Sequence, residues 1–364
     1  MLFFILYGVT AMACFTAAVY LLLRRGNAFA ADVTPPRRVR KWAASFFVMS
    51  MLAHVWWCLL FIYNSDMHAV DSVFSASLYA LVVMLDCVTL LPTIAGTMLA
   101  MLQDRRRPVW PFVVGMIPFV VLDTLSMAIP DYRLLRIGVV YILVFFVLLT
   151  LYIAFAARQY GRWLRDNFAD LERKEVWHCQ TAALSCMLFF ILYSFVDDDI
   201  ALLYVLHVVE LLFFGFLLWR VEMLPELTVQ SQAEAEPEPE TVRAVAANID
   251  LSIVEKLLDR RCVATQLYLQ HDLTLQQLAR ALGSNRYYLS RYFSSRGTSY
   301  NAYINDLRIR HFLDRYREAV ANSQTITAQQ LASESGYRSY STFSLAFKQR
   351  MGLSVTAWMR QQDE

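Results

Sequence analysis

A chain of 364 residues with 57% apolar side chains and only 18% charged ones is neither disordered nor an ordinary soluble enzyme. Soluble domains sit near about 45–50% apolar and about 25% charged. The net charge of +2 averages unlike regions: +2 over residues 1–220, −5 over 221–244 and +5 over 245–364. Eleven glycines argue against a turn-rich β fold, so the chain reads as an all-α apolar block, an acidic linker and a basic tail.

Crossing a bilayer takes roughly 20 apolar helical residues. Residues 1–23 qualify, with no charge before Arg24 and Arg25 and no cationic start typical of a signal peptide. Further spans are expected at 42–63, 73–102, 109–129, 137–157, 178–196 and 200–219, which makes a seven-helix transmembrane bundle over residues 1–220. The polar run 158–177 reads as a loop between two of them. Odd-numbered loops carry 14 Lys/Arg and even-numbered loops carry two. By the positive-inside rule the N-terminus is then outside and the C-terminus in the cytoplasm, in a multi-pass inner-membrane protein.

Ionisable groups in mid-span are costly and mark candidate sites. His54, Asp86, Asp123, His207 and Glu210 fall there, with His207 three residues before Glu210 and so on one helix face. They line either a polar cavity for an unknown small-molecule or lipid-phase signal, or an interhelical hydrogen-bond network. Pro92 and Pro118 can kink their helices. A histidine–carboxylate set can hold a metal, but no spacing here is that of a known metal motif. Five of the six cysteines lie in apolar stretches and none forms a CxxC pair, so they read as small buried hydrophobes. No metal and no cofactor is expected.

Residues 221–247 form the linker, with the run QSQAEAEPEPE at 230–240. Acidic, proline-containing and aperiodic, it reads as a flexible spacer, about 20 residues spanning roughly 25 Å. Such a spacer transmits torque poorly, which favours control through dimerisation or local concentration. A homodimer is plausible on that ground.

Residues 248–364 turn soluble and helical. Leu251, Val254, Leu257 and Leu258 recur at helix spacing. Thr274 and Gln277 form a capping box ahead of Leu275, Leu278, Ala279 and Leu282. Gly283 permits a tight turn, and Asn285 caps a second helix whose Tyr288, Leu289, Tyr292 and Phe293 face inward. Two short helices across such a turn make a helix-turn-helix. The unit repeats at 325–358, where Ile326, Leu331 and Ala332 approximate Leu275, Leu278 and Ala279, and Gly336, Ser339, Phe343 and Phe347 approximate Gly283, Asn285, Leu289 and Phe293. One linking helix, 302–320, joins them, with Arg308, Arg310, Arg315 and Arg317 on a solvated basic face.

Gly297-x-Ser299-x-x-x-Tyr303-Ile304-Asn305-x-x-Arg308, followed by Gly336-Tyr337-x-Ser339-x-x-x-Phe343-x-x-x-Phe347-Lys348-x-x-x-Gly352, resembles the AraC/XylS transcription-regulator DNA-binding domain. The wording LTLQQLA…LGSNRYYLSRYF is similar to members from Bacteroidetes-type bacteria, some with a polytopic membrane domain in front. The resemblance covers about 115 residues of the 364 and implies that each second helix enters a major groove of double-stranded promoter DNA. Tyr287, Ser290 and Arg291 would then face bases in unit one, and Tyr340, Ser341 and Ser344 in unit two, while Arg286, Lys348 and the helix N-termini meet phosphates. Three positions depart from the family: Leu345 where unit one has Arg291, Val355 in place of a proline, and Met359 in place of an arginine.

The sequence therefore points to a membrane-embedded one-component regulator that senses an extracytoplasmic or membrane signal. A tethered regulator whose spans are only an anchor, and a transporter or membrane enzyme with a regulatory tail, are the alternatives. No phosphate loop, nucleophile motif or paired catalytic carboxylates occur, so no catalytic residue is expected.

Overall fold

A computed structural model describes residues 2–24, 26–31, 33–66, 72–129, 132–193, 200–227, 251–322, 324 and 326–363. Among the described residues the fold is all-α, with one isolated bridge between Phe168 and Thr274. The chain divides into two compact units: residues 1–160 with 176–229, and residues 161–175 with 230–364.

The first unit is built from α1 (Leu2–Leu23), α2 (Arg37–Asp66), α3 (Ser72–Met101), α4 (Trp110–Gly115), α5 (Ile117–Ala128), most of α6 (Tyr132–Asn167), α7 (Trp177–Tyr193) and α8 (Ile200–Met223). α2 packs on α1, α3 and α8, α7 packs on α8, and α3 packs on α5. Gly96 of α3 lies so close to the Trp42 ring of α2 that a Cβ there would overlap it. The unit buries several polar groups in a mostly apolar core and exposes large apolar side chains. Thr10, Ser50, His54, Thr97, His207 and Glu210 are buried, whereas Val140, Val144, Val147, Leu148, Leu151 and Phe155 of α6 are exposed. Water would drive the opposite arrangement, and lipid accommodates this one.

Among the described residues, six helical stretches are long and apolar enough to cross a membrane. The expected seventh, 178–196, is helical as α7 but runs for 17 described residues, and 194–199 lie outside the described residues. The expected span 109–129 is present as Trp110–Ala128, with a turn at Met116 that divides α4 from α5, because the Pro118 ring has no N–H to carry α4 onward and instead fits the first turn of α5. Part of the presumed loop 158–177 is helical, since α6 continues to Asn167.

Residues 221–227, expected in the linker, belong to the packed first unit. Val221, Leu224 and Leu227 are buried, and Leu227 N–H donates to Gln103 Oε1 at 2.9 Å. Fully buried Glu222 accepts from Tyr20 Oη at 2.9 Å and pairs with Arg40 at 3.3 Å. Residues 228–250, which include the run at 230–240, lie outside the described residues.

The second unit contains α9 (Leu251–Leu258), α10 (Leu275–Leu282), α11 (Arg286–Ser295), α12 (Tyr300–Ala321), α13 (Ala328–Glu334), α14 (Tyr340–Met351) and α15 (Val355–Asp363). It has two cores, and α12 feeds both. Tyr300 and Ile304 enter the first with Leu278, Leu289 and Phe293, while Ile309, Phe312 and Tyr316 enter the second with Leu331, Phe343 and Phe347.

Candidate functional site

Each helix-turn-helix is positioned by its caps. Thr274 and Gln277 close a capping box on α10, and Thr327 and Gln330 close the same box on α13. The second box places Thr327 opposite Thr274, so Ala328 is the counterpart of Leu275 and Ile326 that of Leu273. This corrects the approximate alignment of Ile326 with Leu275 by two positions. Asn285 Oδ1 accepts from Tyr288 N–H at 3.0 Å to start α11, and Ser339 Oγ accepts from Thr342 N–H at 3.3 Å to start α14. The turns need left-handed backbone at Gly283 (φ +67°) and Gly336 (φ +86°).

The second helices keep their apolar residues inside. Leu289, Tyr292 and Phe293 of α11 are buried, as are Phe343 and Phe347 of α14. Tyr288, expected inside, is only half-buried. Tyr287, Ser290 and Arg291 are exposed on α11, and Arg286 is half-buried at its start. Burial pushes the Arg286 pKa below its ordinary value, while the Asp166 carboxylate supports its charge. On α14, Tyr340, Ser341 and Lys348 are exposed and Ser344 is half-buried. With the two N-caps aligned, the counterparts of Tyr287, Ser290 and Arg291 are Ser341, Ser344 and Leu345. Leu345 is 61% exposed, an apolar side chain on the face where unit one presents a cation.

Arg308 is not on a solvated face. It is 1% exposed between the two cores, with Nε donating to the Tyr268 carbonyl at 2.7 Å, a terminal nitrogen donating to the Gln270 carbonyl at 2.8 Å, and its guanidinium over the Tyr337 ring. Burial lowers its pKa. It holds the segment before α10 against the linking helix, a tie between units that its motif position alone does not show. The other α12 arginines are neutralised locally: Arg310 by Asp306 at 2.6 Å, Arg315 by Glu318 at 2.5 Å, and Arg317 by Asp314 at 3.3 Å.

A contact that sequence reasoning missed is made by segment 161–175. Ala169 is buried in the first core, its N–H donating to the Leu273 carbonyl at 3.2 Å, and Asn301 Nδ2 donates to the Ala169 carbonyl at 2.7 Å. Lys174 pairs with Asp272 at 3.4 Å. The Glu172 carboxylate accepts from Thr342 Oγ1 at 2.8 Å and also from Ser339 Oγ, at the N-terminus of α14. The concentration of Asp and Glu at 166–175 is the one available signal, and it identifies no partner.

In the first unit the five mid-span candidates divide into groups. His54, His207 and Glu210 converge, with ligand-capable atoms all within 4.8 Å of one another. His54 Nδ1 donates to the Ser50 carbonyl at 2.7 Å, and His54 Nε2 lies 3.2 Å from Glu210 Oε2. Tyr7 packs against both histidine rings, with centroids 5.5 and 4.4 Å away. Asp86 is held by two indoles: Trp56 Nε1 donates to one carboxylate oxygen at 2.8 Å and Trp57 Nε1 to the other at 2.6 Å. Asp123 is buried on α5, its Oδ2 outside any hydrogen bond among the described residues.

Residues 278–361 match a family described as a helix-turn-helix domain. The C-terminal part of the chain thus carries a DNA-binding domain of transcription-regulator type, and within that class it is an AraC-type helix-turn-helix. The match identifies the domain and no bacterial lineage. No curated protein and no solved structure gives a significant match.

Proposed function

We propose that the chain is a membrane-embedded one-component transcription regulator. Its first unit would respond to an extracytoplasmic or lipid-phase signal and its second would bind promoter DNA sequence-specifically. The observation that carries this reading is one chain with two equivalently capped helix-turn-helix units and, among the described residues, six helical stretches of membrane-crossing length. A non-enzymatic regulator fits the AraC-type domain.

The reading assigns Tyr287, Ser290 and Arg291 to bases, with Arg291 bidentate to guanine, worth about 1–3 kcal/mol of discrimination. Tyr340, Ser341 and Ser344 take the second groove, and Arg286 and Lys348 take phosphates. The cationic bias of 14 to two supports a cytoplasmic DNA-binding end, and an outside N-terminus then requires α7 to cross as a seventh span. A homodimer would raise affinity by confining two binding domains to one surface.

A genome-wide footprint of the intact protein against Arg291→Ala tests it. Promoter-proximal footprints lost in the variant support the assignment; identical footprints in both refute it. Deleting 1–220 separates sensor from anchor, because regulation that still follows a stimulus without those residues leaves them only a tethering role.

A further inference from the structure

We propose that His54, His207 and Glu210 form a buried site for one divalent cation of the borderline, zinc-like class. With its Nδ1–H committed to the Ser50 carbonyl, His54 Nε2 meets Glu210 Oε2, 3.2 Å away, either through a proton on Nε2 or, when the ring is neutral, lone pair to carboxylate. A lone pair and a carboxylate oxygen at that separation need a cation between them. A proton serves two groups, yet three converge here. Two ligands on a tetrahedral zinc at about 2.0–2.1 Å lie about 3.3 Å apart, which the His54–Glu210 separation matches. His207, one turn before Glu210 on α8, has its ligand atom within 4.8 Å of the other two, so a small rotamer adjustment brings it in.

The surroundings are those of a metal site. The Ser50 carbonyl fixes the His54 tautomer and ring orientation, as outer-shell acceptors do for metal-bound histidines. Two imidazoles and a carboxylate suit zinc and leave a fourth position open, where water or an exogenous ligand can bind. One carboxylate cancels one of the ion's two charges inside an apolar bundle.

The test uses the full chain in detergent, stripped with a chelator, dialysed against Zn2+ and analysed for bound metal and melting temperature. The expected result is about one zinc per chain and a raised melting temperature. His54→Ala and Glu210→Gln abolish both effects. His207→Gln, which keeps size and polarity, weakens binding at least about tenfold and guards against a variant that merely unfolds. Zinc retention equal in wild type and His207→Gln, or no retention above that of His54→Ala, overturns the site and leaves a shared proton. Neither measurement involves DNA, so this inference stands or falls apart from the proposed regulator function.

We also infer, from a different observation and resting on the DNA-binding reading, that segment 161–175 is an intramolecular clamp on the DNA face. The Glu172 carboxylate sits on Ser339 and Thr342 at the start of α14, where a helix N-terminus would otherwise receive a DNA phosphate. Asp166 is close enough to Arg286, the first residue of α11, to support its charge. One acidic segment thus addresses the N-terminal ends of both reading helices, and DNA must displace it.

Binding of full-length protein to mixed-sequence duplex DNA tests the clamp. Glu172→Gln, an exposed change, raises affinity about tenfold, the scale of one charge-assisted hydrogen bond. Arg291→Ala lowers it. If Arg291→Ala weakens binding while Glu172→Gln leaves it unchanged or lower, the clamp is wrong and the DNA face stands. If Arg291→Ala has no effect, the DNA face itself is wrong.

Discussion

The two helix-turn-helix units share a scaffold and differ in chemistry. Both open on a Thr-x-x-Gln capping box, both start the second helix from a polar cap, and both bury two apolar residues four apart on it, Leu289 and Phe293 or Phe343 and Phe347. Their exposed faces diverge. Unit one presents Arg291 and Tyr287; unit two presents Leu345, Ser341 and Tyr340, with Glu172 across its start. The inner positions are fixed by packing, so they stay alike. The outer ones are free to differ, and sequence discrimination should rest mainly on unit one.

The largest break should come from emptying a core. Phe343 is fully buried, with its ring centroid 4.5 Å from that of Phe312 and 5.5 Å from that of Phe347. Phe343→Ala should cost about 3–5 kcal/mol in denaturant unfolding, and a loss confined to unit two would show that the cores unfold separately. Next are the turn glycines. A Cβ on Gly336 would meet Leu269 O at 2.7 Å, whereas one on Gly283 meets only the end of the Arg261 side chain at 3.2 Å. Both have positive φ, so Gly283→Ala should cost about 1 kcal/mol and Gly336→Ala clearly more, a ranking that melting temperatures can check.

On DNA, Arg291→Ala should cost about 1–3 kcal/mol at a guanine-containing site. Leu345→Ala should change affinity little, and equal losses in a binding titration would erase the asymmetry between the units. Lys348→Ala should reduce the slope of log affinity against log salt by about 1. Thr274→Ala and Thr327→Ala should each cost about 1 kcal/mol, and a large difference would mean the matched caps bear unequal loads.

The sequence reveals what is local. Caps, turn glycines and buried periodic residues are written within a few positions of one another, so both units could be read from it, and the second capping box, Thr327-x-x-Gln330, is as local as the first. Apolar runs identified the helices long enough to cross a membrane, and Pro118 signalled the interruption beside it, but polarity hid the extension of α6 to Asn167, where helix continuation competes with it. Long-range pairing was invisible. His54 meets Glu210 across 156 positions and Glu172 meets Thr342 across 170, and nothing in the spacing of either pair announces the other member. Arg308 looked like a surface cation because its carbonyl partners, Tyr268 and Gln270, lie about forty residues upstream.

The grip of Trp56 and Trp57 on Asp86 is a matter of parity. Two donors meet two acceptor oxygens, so the count closes without a cation. Asparagine has the same outline but offers one acceptor and one donor group, so one indole would face another N–H. At this position the isosteric exchange is therefore a mismatch of kind, and a phenotype of Asp86→Asn would report a frustrated tryptophan as much as a missing charge.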